Sequence, residues 1–258
     1  MAERPIILTV FSDVEDPNPL PRLVEERDEM IDLLKTPDQQ KRIEHKYLSV
    51  KDGVQLMDYI RTYREEILLF HYGGHADNDE ILLPDGRSLI KGIAAMFENL
   101  HLRNAPLKLV FLNGCATWEQ VDVFFNTGVE AVIATRAKVN DTAAKEFALS
   151  LYKTLFAEGK TLEQAFNDAV AAVQRISDEI RLEKEPFSRG PKNKRLKKMM
   201  EDQEEMPWFL FTRKEEILKS TLLPKKRVSA LSLAGESIQN RIEESIKAKK
   251  EKIEALKQ

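Results

Sequence analysis

The chain has 258 residues, of which 42% are hydrophobic and 32% charged, and its net charge at pH 7 is −3. This length fits one large hydrophobic core with an appendage, and a charge so near zero gives no electrostatic reason to expect direct binding of nucleic acid or of an anionic membrane. The only cysteine, Cys115, excludes an internal disulfide and a cysteine-based zinc site, so we expect a reducing, cytoplasmic setting. The sequence contains no run of about 18 apolar residues, so we expect no membrane span, and we expect no signal peptide.

Short apolar runs alternate with amphipathic segments along the first half of the chain. Short apolar runs predict strands at 6–11, 67–72, 107–112 and 131–134, and alternation of apolar and polar residues predicts another at 45–50. Helical spacing of apolar residues predicts helices at 20–34, 54–63 and 91–100, with a short one from near Trp118. An Asp-Gly pair between two short apolar runs at 80–90 predicts a hairpin. Strands alternating with helices indicate an α/β fold with a mostly parallel sheet covered on both faces.

The second half changes character along its length. Longer helices are predicted at 142–158 and 161–180, and a last strand at 207–211. Two Thr-x-x-Gln sequences, at Thr117 and at Thr161, have the spacing of a helix-initiating capping box.

Two charged stretches interrupt and follow these elements. A basic and then acidic stretch at 188–205 predicts a charged mobile loop. We predict a domain at 1–220, and at 221–258 a basic linker with an amphipathic C-terminal helix. Because that helix has an apolar face to bury, it predicts a regulatory domain or a partner protein.

Two of the predicted strands end in residues that carry chemistry. The third strand runs into HYGGHAD, which contains His75, and the fourth into NGC, which ends at Cys115. Neighbouring parallel strands place their carboxyl ends at one edge of the sheet, where ligands bind in open α/β folds. We therefore expect His75 and Cys115 to meet there, where an imidazole can take the thiol proton and produce the nucleophilic thiolate. The backbone N–H groups of Cys115 and Ala76 are candidate donors to an oxyanion.

Other interpretations of these residues stay open at this stage. A lone cysteine at a strand end is commonly a small buried hydrophobic residue. His71 and His75 have the i, i+4 spacing of helical metal ligands, but two glycines between them disfavour a helix, so we predict no metal site and place His71 in the core. The Gly-Gly turn is compatible with a phosphate cradle, although no Lys-Ser or Lys-Thr pair follows it as in nucleotide-binding loops.

Three stretches occur in an order typical of one protease family. They are ILLFHYGGHAD, LKLVFLNGCAT and GVEAVIATRAKVNDTAAKEFALSLYKTLFAEGKTLEQAFNDAV. Together they resemble the CHAT-domain peptidases, a branch of the caspase-like cysteine proteases with separases and gingipains among its relatives. The resemblance spans residues 5–215. It implies a caspase-like three-layer α/β/α sandwich with a mostly parallel six-stranded sheet, and chemistry that needs no cofactor.

The resemblance also implies roles for single residues. His75 matches the catalytic histidine of the family and Cys115 its nucleophile. The family usually has glycine after the histidine, where this chain has Ala76. Relatives that cleave after Arg or Lys often carry an acidic residue shortly before the cysteine. Asn113 stands there instead, so a preference for basic residues is not supported.

Three further residues are candidates for the substrate pocket beside Asn113. Asp13 and Asp16 follow the first strand and serve either as pocket residues or as turn residues that lead into the next helix. Trp118 is a candidate for the pocket rim.

We therefore predict a cysteine endopeptidase that cleaves a protein substrate through a His–Cys dyad. The family resemblance implies a regulated effector module of a bacterial signalling or defence system, with low activity until a partner switches it on. The alternative, to which Ala76 lends support, is a catalytically silent caspase-like scaffold or partner-binding module.

Overall fold

The computed structural model describes residues 4–12, 19–77, 80–98, 107–176 and 206–224. Within these residues the chain forms nine strands: β1 (Ile6–Ser12), β2 (Glu44–Ser49), β3 (Ile67–Gly74), β4 (Ala76–Asp77), β5 (Glu80–Leu83), β6 (Gly86–Leu89), β7 (Leu109–Asn113), β8 (Ala131–Thr135) and β9 (Trp208–Thr212). The α-helices of the same residues are α1 (Pro21–Gln39), α2 (Gly53–Tyr63), α3 (Ile90–Ala95), α4 (Val121–Thr127), α5 (Asp141–Tyr152) and α6 (Leu162–Ile176). A 3₁₀ helix at Thr117–Gln120 precedes α4, and a π-helical turn at Lys153–Ala157 follows α5.

Six of the strands form one sheet in the order β2-β1-β3-β7-β8-β9. All neighbours pair in parallel except β8 and β9, which are antiparallel. This arrangement confirms the predicted mostly parallel six-stranded sheet. The other three strands form a small antiparallel sheet in which β5 and β6 make the predicted hairpin.

Helices cover both faces of the main sheet and give the predicted three layers. One face packs against α1, α5 and α6, which contribute Met30, Phe147 and Phe166 to its core. The other packs against α2, α3 and α4, which contribute Ile60, Ile93 and Phe124. Because both faces are covered, every residue of β1, β3, β7 and β8 is buried, which explains why their sequences are continuous apolar runs rather than alternating ones.

Three helices differ from their predicted extents, and the one predicted at 91–100 is the shorter α3, which ends at Ala95. The first helix continues past Leu34 and through Pro37 to Gln39, because Leu34 and Pro37 are both buried on its packed face and tertiary contacts outweigh the low helical preference of proline. The helix that starts at Asp141 changes to a π-helical turn after Tyr152. That turn buries three consecutive residues: Thr154, Leu155 and Phe156.

The two predicted capping boxes have opposite outcomes. At Thr161 the prediction is confirmed. The backbone N–H of Gln164 donates to the Thr161 hydroxyl at 3.3 Å, and the backbone N–H of Thr161 donates to the side-chain oxygen of Gln164 at 3.1 Å. At Thr117 it is wrong, since no side-chain cap forms there. The preceding Ala116 has a left-handed backbone with φ of 51°, and this turns Thr117 into the protein interior.

Several predicted features lie outside the described residues. They are the pocket candidates Asp13 and Asp16, the charged loop at 188–205 and the amphipathic C-terminal helix. The chain divides into two units, 1–224 and 225–258, and the predicted boundary at 220 stays a prediction. Of the helices described, none combines the length and the apolar character needed to cross a bilayer.

Candidate active site

The tips of β3 and β7 lie side by side at one edge of the sheet. The two strands pair in parallel, and their last paired residues are Gly73 and Asn113. The chain therefore leaves the sheet at adjacent points, towards His75 from one strand and towards Cys115 from the other. This confirms the expectation that the two strand ends share one edge. His75 and Cys115 are both partly exposed.

The backbones of these two segments touch directly beyond the strand ends. A Cβ atom added at Gly114 would lie 2.7 Å from the Cβ of Ala76 and 2.8 Å from the carbonyl oxygen of Gly74. Real Cβ atoms do not approach other heavy atoms so closely, so glycine is required at position 114. Gly114 precedes Cys115, while Gly74 and Ala76 flank His75. The contact thus brings the two predicted catalytic residues into one neighbourhood.

Two buried threonines anchor the cysteine loop to β8: Thr135 lies on β8, and Thr117 follows the cysteine in the loop. The Thr135 hydroxyl donates to the carbonyl oxygen of Gly114. The Thr135 N–H donates to the Thr117 hydroxyl at 2.9 Å, and that hydroxyl donates in turn to the carbonyl oxygen of Leu112 at 3.2 Å. These bonds hold the backbone on both sides of Cys115, which is why Thr117 is not available as a helix cap.

A second bridge joins the cysteine loop to the histidine segment. The side-chain amide of Gln120, in the 3₁₀ helix after the cysteine, donates to the carbonyl oxygen of Asp77 at 3.0 Å. Ala76 and Trp118 are partly buried and pack against the core formed with α2, α3 and α4. The backbone of Ala76 is ordinary, since positive φ angles among the described non-glycine residues occur at Lys41 and Ala116. The roles of Ala76 in the oxyanion site and of Trp118 at the rim stay predictions.

Asn113 is held inside the protein, on the face of the sheet covered by α1 and α5. It is 5% exposed. Its amide donates to the Glu26 carboxyl at 3.1 Å and to the carbonyl oxygen of Ala144 at 3.1 Å, and its oxygen accepts from the Trp208 indole at 3.3 Å. Three elements therefore position the residue two places before Cys115. Its part in the substrate pocket stays a prediction.

Burial controls the ionisation of the groups beneath Asn113. It raises the pKa of Glu26 from 4.5 to about 8, although the hydrogen bond from Asn113 acts in the opposite direction. Burial also lowers the pKa of His71 to about 3. Between these values both groups are neutral, and the 3.6 Å contact between the Glu26 carboxyl and the His71 imidazole is not an ion pair.

His71 lies in the core, as expected. Its ring is fully buried and stacks on Phe111, with 4.4 Å between the ring centroids. Within the described part of the chain, no three His, Cys, Asp or Glu side chains are grouped so as to hold a metal ion.

Asp141 is an acidic neighbour of the site that the sequence did not single out. Its carboxylate accepts the backbone N–H of Arg22 at 2.7 Å and joins the starts of α1 and α5. Burial raises the pKa of Asp141, and a positive charge on His75 acts to lower it, so the two groups are within electrostatic range.

The sequence did not single out Glu26 either, although the residues around it carry a signal. It falls on the apolar stripe of the first helix between Leu23 and Met30, at helical spacings of three and four residues. A carboxylate on such a stripe is expected to find a polar partner when buried. Thr117, Thr135 and Tyr72 carry no comparable signal in the sequence.

Comparisons with known proteins place these features in a wider group. The family model described as CHAT domain matches residues 18–207. Among solved structures, one described as pro-sf-caspase-1 aligns with a TM-score of 0.50 at 10% identity, over 72% of this chain and 84% of its own. The Arg-specific cysteine proteinase gingipain R aligns with a TM-score of 0.52 at 13% identity, over 87% of this chain and 48% of its own. At these identities the likeness is one of fold. A search of curated proteins found no match.

Gly114→Ala tests the contact between the two loops. The new Cβ clashes with Ala76 and with the Gly74 carbonyl oxygen, and we expect a loss of about 1–3 kcal/mol in the free energy of unfolding, measured in urea. Ala76→Gly in the same chain should recover part of the loss, because it removes one of the two clashing groups. Gly92→Ala is the control, since nothing lies within 4 Å of its added Cβ. Equal effects of the changes at 114 and 92 would contradict the contact.

Glu26→Gln tests the buried neutral carboxyl. Because the folded-state pKa of Glu26 lies above its unfolded value, the folded state binds the extra proton, and wild-type stability falls as pH rises from about 4.5 to about 8. Gln does not ionise, so we expect the variant to gain stability relative to wild type over that interval. Urea unfolding at pH 5, 7 and 9 measures the difference, in which the contribution of His71 cancels. A difference between variant and wild type that stays constant from pH 5 to pH 9 would contradict the buried neutral carboxyl.

Proposed function

Because the chain belongs to the CHAT domain family and has the caspase-like fold, we propose that it is a cysteine endopeptidase with Cys115 as nucleophile and His75 as general base and acid. The observation that carries the proposal is the contact of Gly114 with Gly74 and Ala76, which puts the two residues on touching backbones at the open edge of the sheet. A protein substrate is the class that this chemistry implies.

The first half of the reaction forms an acyl-enzyme. His75 takes the proton of the Cys115 thiol, and the thiolate sulfur bonds to the carbonyl carbon of the scissile peptide. The negative charge moves to the carbonyl oxygen, which the N–H groups of Cys115 and Ala76 stabilise. As the carbon–nitrogen bond breaks, His75 gives its proton to the leaving amine.

Water completes the reaction. His75 takes a proton from water, and the hydroxide oxygen bonds to the thioester carbon. The carbon–sulfur bond then breaks, the acid product leaves, and the proton returns to the Cys115 sulfur. No cofactor enters either half of this scheme.

The other proposed candidate is a caspase-like scaffold or partner-binding module without catalysis. It draws support from Ala76, which replaces the usual glycine after the histidine and adds a methyl group in contact with the Gly114 position. The two proposals differ in the chemistry of Cys115.

Alkylation of Cys115 by iodoacetamide separates them. A thiol with an ordinary pKa of about 8.5 is only about 3% thiolate at pH 7, so activation by His75 can raise the rate by up to about 30-fold. We expect His75→Ala to remove this gain, and the rate at pH 6–9 then to follow that of glutathione. His45→Gln is the control, because His45 lies on β2 and bonds the Thr9 hydroxyl at 3.0 Å, away from the strand tips. Equal rates in wild type and His75→Ala would contradict the dyad.

A peptide library with mass spectrometry then tests for cleavage, with Cys115→Ala as the inactive control. Fast, His75-dependent alkylation without any cleavage, both with and without added lysate of the source organism, would favour the scaffold proposal.

We also propose that the amphipathic segment in 221–258 binds a regulatory domain or partner protein that switches on cleavage. Its support is the spacing of Ile238, Ile242 and Ile246, whose four-residue intervals predict one apolar face of a helix. On the family resemblance and the single cysteine, we place the protein in the cytoplasm as an effector of a bacterial signalling or defence system. Cells of the source organism offer a direct test: cleavage activity of the full chain should rise on adding their lysate, and Ile242→Asp should abolish the rise. An equal rise in both would exclude this segment as the switch.

A further inference from the structure

We infer that Tyr72 is a positioning residue for His75: its buried hydroxyl fixes the peptide group that follows the histidine. The inference rests on the proposed function of His75. The Tyr72 hydroxyl lies 2.8 Å from the carbonyl oxygen of His75 and 2.9 Å from that of Leu82 in the hairpin strand β5.

The Tyr72 hydroxyl lies slightly nearer to the carbonyl oxygen of His75 than to that of Leu82, and each of these two acceptors also receives one other donor. The Ser12 hydroxyl, at the end of β1, donates to the carbonyl oxygen of Leu82 at 2.6 Å. A hydroxyl has one proton, and the carbonyl of His75 is its nearer acceptor, at 2.8 Å. The Leu82 N–H also donates to that carbonyl at 2.9 Å. Both lone pairs of the His75 carbonyl are therefore engaged by groups of a rigid framework.

Packing alone does not explain why a tyrosine, with its hydroxyl, occupies position 72. Its ring is fully buried in the core on the side of α2, α3 and α4, where phenylalanine would supply the same apolar area. Burying a hydroxyl has a free-energy cost that only a hydrogen bond offsets. Burial also raises the pKa of Tyr72, so the hydroxyl keeps its proton at neutral pH and can donate.

The backbone before His75 is fitted to the same hydroxyl. A Cβ atom added at Gly74 would lie 2.8 Å from the Tyr72 hydroxyl oxygen and 3.0 Å from the carbonyl oxygen of Ser12, and the φ angle of Gly74 is 152°. The chain thus crosses directly over the hydroxyl before it reaches His75. Position 74 requires glycine because the tyrosine oxygen occupies the space of a side chain.

The hydroxyl supplies a restraint that secondary structure does not. His75 lies between β3, which ends at Gly74, and β4, which begins at Ala76. The two peptide groups that flank its Cα atom set the direction of the Cα–Cβ bond, from which the side-chain torsions orient the imidazole. Fixing the carbonyl after the Cα atom fixes one of these groups and, with it, the point from which the ring extends. Misplacement of a catalytic group by about 1 Å can lower rates about 100-fold.

Tyr72→Phe tests the inference with two independent readouts. The chain has four histidines, so ¹³C-histidine labelling gives few ring signals, and His75→Ala assigns that of His75. The second readout is the rate of Cys115 alkylation at pH 7. Tyr152→Phe is the matched control: it removes another fully buried hydroxyl, one with no hydrogen-bond partner among the described residues. If Tyr72→Phe does not fold, Ser12→Ala replaces it, because loss of the serine proton draws the tyrosine hydroxyl towards Leu82.

We expect Tyr72→Phe to shift or broaden the His75 ring signal, to leave the His45 signal in place, and to slow alkylation about tenfold, as for the loss of one hydrogen bond. Tyr152→Phe should change neither readout. An unmoved His75 signal together with an unchanged alkylation rate would overturn the inference. A moved His75 signal with alkylation that is equal in wild type and His75→Ala would instead support the positioning role while the proposed dyad fails.

Discussion

The candidate site depends on the direct contact between two backbone segments, those that follow β3 and β7, at the carboxyl edge of the sheet. Parallel pairing brings β3 and β7 to the same edge, with Gly73 opposite Asn113. Beyond that pair, Gly114 packs against the Gly74 carbonyl and the Ala76 methyl group with no room for a side chain. Gly114 and Gly74 therefore allow the contact that defines the neighbourhood of His75 and Cys115, and the surrounding hydrogen bonds maintain it.

The sheet faces make different contributions to this edge. On one face an apolar core contains a single tyrosine hydroxyl that reaches the histidine backbone. On the other face a neutral carboxyl, Glu26, and the Trp208 indole hold Asn113 two residues before the cysteine. Buried polar groups of this kind are costly unless bonded, and each here has a specific partner. The histidine and the cysteine are thus supported from opposite sides of the same sheet.

The sequence was informative where one physical rule dominated. Apolar runs predicted β1, β3, β7 and β8 because burial on both faces leaves no other pattern, and parallel connections predicted that the strand tips would share an edge. The same sequence was misleading at Thr117, where a local capping pattern competed with long-range partners. Thr135 binds Thr117, and Asp77 binds Gln120. Neither partner is near in sequence, so local spacing cannot reveal them. Tyr72 was likewise interpreted only as part of an apolar strand, because the acceptor of its hydroxyl is a backbone atom.

The bond from Trp208 to Asn113 has a consequence for the order in which the protein matures on the ribosome. Among the described strands, β9 comes last in the chain, far behind the strands that lead to His75 and Cys115. Synthesis proceeds from the N-terminus, so a nascent chain exposes the thiol and the imidazole well before the indole that completes the setting of Asn113 exists. A nascent chain would therefore hold the thiol and the imidazole on an unfinished sheet until the last strand has joined.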